Sequence, residues 1–163
     1  MTTYKEIFGK YVRSVSSDPP AAAGEGEIWY NTSSNVFKSS VPVGAWSSGG
    51  TLSTARSYIG SAGIQTAALG FGGYIGPFTN ETEEYNGTAW TGGGNINTSR
   101  QLIAGFGTQT AAAGTGGDTS PGPVTSTEEY NGSSWTSVTS LPQSTSGAGS
   151  TGTQTAGLVA GGN

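Results

Sequence analysis

The chain contains no cysteine and no histidine. These absences exclude disulfides, zinc sites built on Cys or His, Cys–His and Ser–His nucleophile pairs, and the commonest general base. Charge is scarce as well, at 10% of residues, where soluble domains carry roughly 25%. Apolar runs are short, so no segment reads as a membrane-spanning helix. The opening "MTTYKEIFGKYVRSV" lacks the apolar core of a signal peptide. A site made of carboxylates alone, for calcium or for glycoside hydrolysis, is the chemistry these absences leave open.

What is plentiful is glycine, 29 of 163 residues, together with Ser, Thr, Ala and scattered Trp and Tyr. Disordered chains are usually both polar and charged, and this one carries little charge. The mixture suits many short strands joined by tight turns. The net charge of −4 is unevenly placed. Residues 1–45 balance Glu6, Asp18, Glu25 and Glu27 against Lys5, Lys10, Arg13 and Lys38. From Trp46 onward only Arg56 and Arg100 oppose six acids, so no basic stripe is available to bind nucleic acid.

Repetition is the strongest pattern. "TEEYNGTAW" (Thr82 to Trp90) returns as "TEEYNGSSW" (Thr127 to Trp135). Trp46, Trp90 and Trp135 recur at spacings of 44 and 45, as do Gln65, Gln109 and Gln154. The glycine pairs Gly72–Gly73, Gly116–Gly117 and Gly161–Gly162 keep the same frame. Within a unit, Ala67, Leu69 and Phe71 alternate with smaller residues at the period of a strand. Asn86-Gly87 predicts a type I′ turn, with positive φ at both residues, between two antiparallel strands. Strands are expected near 56–61, 66–71, 82–86 and 88–92, with a turn over 62–65, and again one period later. Four strands per unit of about 45 residues is the arithmetic of a propeller blade.

The order of Trp, a Leu-x-x-x-Arg segment, a hairpin, a double glycine, and Tyr shortly before the next Trp resembles the kelch repeat. On this resemblance Leu52, Arg56, Gly72, Gly73, Tyr85 and Trp90 occupy kelch positions in the first unit. Ile96, Arg100, Gly116, Gly117, Tyr130 and Trp135 do so in the second. The third unit keeps Leu141, Gly161 and Gly162 but has Thr145 in place of Arg. The resemblance implies an all-β chain of kelch-like β-propeller blades, with units 46–89, 90–134 and a partial 135–163. Because 163 falls inside a unit, the reading expects either a longer chain or copies that complete one another's sheets.

Residues 1–45 do not repeat. "SSDPPAAAGEGE" reads as an extended connector and "TYKEIFGKYV" as a short helix, marginal by itself. "EIWYNTSSNVFKS" predicts a hairpin over 27–39 around "TSSN". "GEIWYNTSSNVFK" resembles a hairpin near the front of bacteriophage tail-fibre and other appendage proteins. The whole layout is similar to marine phage structural proteins with "GTQTAALGFGG"- and "TEEYNG"-type repeats. That resemblance implies a non-enzymatic virion tail component, assembled in the host cytoplasm, without cofactor or metal. Residues 1–45 are then the anchor, with Ile7, Phe8, Ile28, Trp29, Tyr30 and Phe37 packing on other tail proteins or on sister copies, three by analogy with fibres. A host-surface glycan is the ligand class implied for the repeats. A bacterial carbohydrate-binding or carbohydrate-active kelch-type propeller is the alternative.

The repeated polar residues have mainly structural readings. Neighbouring residues on a strand face opposite ways, so Glu83–Glu84 and Glu128–Glu129 cannot each form one acid/base or chelating pair. One glutamate of each pair is expected in solvent and the other against an adjoining blade. Arg56 and Arg100 are expected on backbone carbonyls or on a glutamate between blades. The three glutamines are expected to cap backbone groups near the hairpin turns.

Overall fold

The computed structural model describes residues 3–7, 10–17, 28–39 and 48–163. The chain divides into two compact units, Met1–Ser47 and Ser48–Asn163. All regular structure among the described residues is β, and most of it lies in antiparallel sheets.

In the first unit β1 (Thr3–Ile7) pairs antiparallel with β2 (Lys10–Val15). The expected helix over "TYKEIFGKYV" is therefore wrong. Tyr4, Ile7, Tyr11, Val12 and Val15 are strand-favouring types, and Gly9 weakens any helix across the middle. β3 (Ile28–Asn31) and β4 (Val36–Ser39) pair antiparallel, and β2 runs parallel to β3, giving the order β1-β2-β3-β4. Asn31 Oδ1 accepts from Ser33 N and Ser34 N, both at 3.0 Å, which folds the turn through a side chain. Trp29 is buried, while Phe37 is 58% exposed. The packing expected of the Ile7, Phe8 and Ile28 side chains, and the place of Trp46, lie outside the described residues.

The second unit repeats one motif. β5 (Gly60–Ile64), β6 (Ala67–Phe71), β7 (Thr82–Tyr85) and β8 (Trp90–Gly92) form an antiparallel meander in sequence order. β9 (Ala104–Thr108), β10 (Ala111–Thr115), β13 (Thr127–Tyr130) and β14 (Trp135–Val138) form the second sheet in the same order. Between β10 and β13 the small hairpin of β11 (Asp118–Thr119) and β12 (Gly122–Pro123) projects, which the repeat pattern did not foretell. β15 (Gly149–Thr153) and β16 (Ala156–Ala160) make a third, two-stranded sheet.

Two local expectations need correction. The first strand of the unit starts at Gly60 rather than residue 56, and the turn is Gln65–Thr66 rather than 62–65. The cause is Tyr58, whose φ of 56° breaks the extended run. Leu102, one period on, has φ 54°, and Gly147 has φ 65°. Successive members of this series are tied by backbone: Leu102 N donates to Tyr58 O at 2.9 Å and Gly147 N to Leu102 O at 3.0 Å. The left-handed residue is what aims these bonds from sheet to sheet. The second correction is the turn at Asn86. Among these turn residues only Gly87 has positive φ, so the turn is not type I′. Asn86 Oδ1 instead accepts from Thr88 N at 3.0 Å and Ala89 N at 2.9 Å, and Asn131 repeats this with Ser133 N and Ser134 N.

The core lies between the first two sheets: Leu69, Phe71, Ile96, Ile103, Ala112, Tyr130 and Trp135. Phe71 fits because a Cβ on Gly60, Gly105 or Gly114 would each stand within 2.8 Å of its ring. Its ring centroid is 4.7 Å from that of Trp135, close enough for direct aromatic packing. The glycine pairs after β6 and β10 all take positive φ, and a Cβ on Gly72 would come within 2.5 Å of Arg100 O. That conformation and that close approach both call for glycine.

Candidate functional site

The side chains with most chemistry in each repeat converge on the joints within and between sheets. Arg56 precedes β5 and reaches β7, with Nη2 2.8 Å from Glu83 Oε1 and Nη1 3.3 Å from Glu81 Oε2. Glu83 Oε2 also accepts from Ser53 N at 2.8 Å. Arg100 repeats the geometry: Nη1 lies 2.8 Å from Glu128 Oε1, and Glu128 Oε2 accepts from Asn97 N at 2.8 Å. Arg100 and Glu128 are 0% and 1% exposed. Burial pulls the Arg100 guanidinium below its usual value, and the neighbouring Glu128 opposes that shift. Both arginines also donate to backbone carbonyls as expected, Arg56 Nη1 to Glu81 O at 3.2 Å and Arg100 Nη2 to Gly114 O at 3.4 Å, but the glutamate each one meets belongs to its own repeat and not to a neighbouring one.

The second glutamate of the first pair crosses the boundary. Tyr130 donates its hydroxyl to Glu84 Oε1 at 2.5 Å, from the second sheet to the first. Burial and this hydrogen bond push the Tyr130 phenol up to about 12. Trp135 Nε1 makes a parallel crossing to Thr82 Oγ1 at 3.1 Å. The glutamines complete the set. Gln109 Nε2 donates to Ala68 O at 3.0 Å and Tyr85 O at 2.7 Å. Gln154 Nε2 donates to Ala112 O at 2.9 Å and Tyr130 O at 2.8 Å. Gln109 and Gln154 cap carbonyls as expected, but those of the preceding sheet, whereas Gln65 is exposed. Neither glutamate of the first pair is left to solvent alone.

Tyr85 and Trp90 hold the positions of Tyr130 and Trp135 on the first sheet and stack at 5.0 Å. They are only half-buried. Gly161 and Gly162 repeat the positive φ of the earlier pairs. Among the described residues no three His, Cys, Asp or Glu side chains gather as a metal would require.

One exposed feature escaped the sequence reading. Ser57 and Tyr74 exchange backbone hydrogen bonds at 3.1 and 2.9 Å, which brings Tyr58 beside the loop after β6. Tyr58, Tyr74 and Ile75 are exposed, and Tyr74 stacks edge-on with Phe78 at 5.8 Å. The signal was available in "YIGPF", the least repetitive stretch of the first unit. Flat aromatic faces that rest in water suit sugar rings or a protein surface.

No protein-family model matches the chain, and no curated protein matches it either.

Proposed function

We propose that the protein is a structural component of a phage virion, a tail fibre or tail appendage. Residues 1–45 attach it, and residues 46–163 form kelch-like propeller blades that face the host. The supporting observation is where the reactive side chains go: Arg56, Arg100, Glu83, Glu84, Glu128 and Tyr130 are all spent on joining strands and sheets. The propeller part rests on the packing of successive meanders, whose first strands lie side by side; Ser150 Oγ of β15 donates to Gly105 O of β9 at 2.9 Å. The virion part rests on the resemblance carried by "GEIWYNTSSNVFK". Fold analogy by itself does not assign function, so the test must be biological. Deleting residues 1–45 is expected to abolish incorporation, read by mass spectrometry of purified virions. Normal incorporation of the truncated protein would rule the anchor out.

The exposed Tyr58–Tyr74–Ile75 rim favours a second reading, a bacterial carbohydrate-binding propeller. Both readings expect Tyr58→Ala with Tyr74→Ala to lose glycan retention on an array. Only the first expects the protein in virions.

A further inference from the structure

The first two repeats are alike at their joints and unlike on one rim. Arg56, Glu83, Glu84, Tyr85 and Trp90 return unchanged as Arg100, Glu128, Glu129, Tyr130 and Trp135. The loop after the glycine pair does not return: "YIGPFTNE" in the first repeat becomes "DTSPGPVTS", one residue longer, in the second. Repeat folds hold a scaffold constant and vary the loops of one face, which is often the binding face.

Backbone bonds set the two variable loops side by side. Tyr74 pairs with Ser57, and Asp118 pairs with Gln101 in the same frame one repeat on. Leu102 N donates to Tyr58 O at 2.9 Å, so the Tyr58 and Gln101 segments are themselves neighbours. From Tyr74 to Asp118 is then three chain-to-chain steps of roughly 4.8 Å each. One end of this rim is aromatic and apolar: Tyr58 is 59% exposed, Tyr74 40% and Ile75 42%. The other end is polar. Partners in an antiparallel bridge point to the same side, so the Gln101 amide and the Asp118 carboxylate stand together. Both residues are half-buried, and neither side chain has a hydrogen bond or ion pair among the described residues. Tyr58 is a separate sign, because it holds a side chain at φ 56° where the third repeat uses Gly147. Burial does not offset that strain, and strain of this kind gathers at functional positions.

Charge decides which ligand fits. The cations of Ser48–Asn163 are Arg56 and Arg100, and both side chains are 0% exposed. This unit therefore offers no positive group to solvent. A sialylated, sulfated or phosphorylated ligand would meet Asp118 with no cation to hold it. An ammonium group only donates, whereas a sugar hydroxyl both donates and accepts and so satisfies the amide and the carboxylate together. The C–H face of a pyranose suits a tyrosine ring. We infer that the Tyr58–Tyr74–Asp118 rim binds an uncharged oligosaccharide, with its ring faces on the tyrosines and its hydroxyls on Gln101 and Asp118. The inference rests on the glycan-binding reading of the repeats, and adds to it the polar half of the site and the exclusion of charged sugars.

The test offers the full chain immobilised polysaccharides of three kinds: neutral glucan, mannan and galactan, anionic polysialic acid and sulfated dextran, and cationic chitosan. A neutral polymer is expected to be retained equally at low and at physiological salt, since no charge pairing is involved, and the anionic ones are expected to pass through. Tyr74→Ala and Asp118→Asn should each weaken the neutral binding about tenfold while keeping the native melting temperature. Gln65→Ala, at an exposed turn outside the rim, should bind as the native chain does. Stronger retention by the anionic or cationic polymers than by any neutral one would overturn the inference and leave the glycan reading standing. So would neutral binding that neither rim variant weakens. Retention by none of the polymers would overturn the inference and the glycan reading together.

Discussion

Tyr130 gives the protein a pH-dependent joint. Its phenol titrates at about 12 in the folded chain, against about 10 when unfolded. A raised pKa means that the fold favours the protonated hydroxyl. The stabilisation is fully present below about pH 10 and is lost as pH climbs through 12, a change of about 3 kcal/mol. Urea unfolding followed between about pH 9 and pH 12 should show this alkaline limb in the native chain and not in Tyr130→Phe. An identical limb in both would mean the Tyr130–Glu84 bond carries none of it. Arg100 makes the sharper stability test. Arg100→Ala strands Glu128 in the core and should cost about 3–5 kcal/mol by denaturant titration, and Arg100→Met with Glu128→Leu should recover most of that. That these residues mattered was legible from their recurrence. Their partners were not, because alternation tells that Glu83 and Glu84 face opposite ways but not what stands on either side.

The glutamine clamps set the energetics of neighbouring elements. Gln109 ties the β9–β10 turn to carbonyls at Ala68 and Tyr85, whereas Gln65 is exposed. Gln109→Ala is expected to lower stability by about 1–2 kcal/mol, since two acceptors lose a donor. Gln65→Ala should change it by less than about 0.5 kcal/mol. Equal losses at both sites would place the role in the turn itself and not in the joint. Strand identity was readable wherever small and apolar residues alternated, as in Ala67–Phe71. It was misread where a tertiary bond overrides local preference. Tyr58 sits at positive φ because Leu102 N needs its carbonyl, and only Gly147 in the third repeat hints at that demand. Tyr58→Gly should accordingly raise stability by up to about 1 kcal/mol in thermal or urea unfolding. The "TYKEIFGKYV" stretch was misread for a different reason: apolar residues on so short a piece fit either period, and pairing decided.

At the scale of the molecule, Ser48–Asn163 forms a compact unit distinct from Met1–Ser47. Expressed by itself, it should give a β-type circular-dichroism spectrum and one cooperative transition seen equally by circular dichroism and tryptophan fluorescence. Two separated transitions would show that the sheets do not share one core. The repeat frame and its incomplete third unit were legible at this scale, whereas the parallel β2–β3 pair was not, since it leaves no mark in spacing. The clamp geometry also bears on how such a gene changes in length. Gln109 and Gln154 reach the same two carbonyl positions of the sheet before them, so a unit copied in frame would carry its own clamp to the sheet it follows.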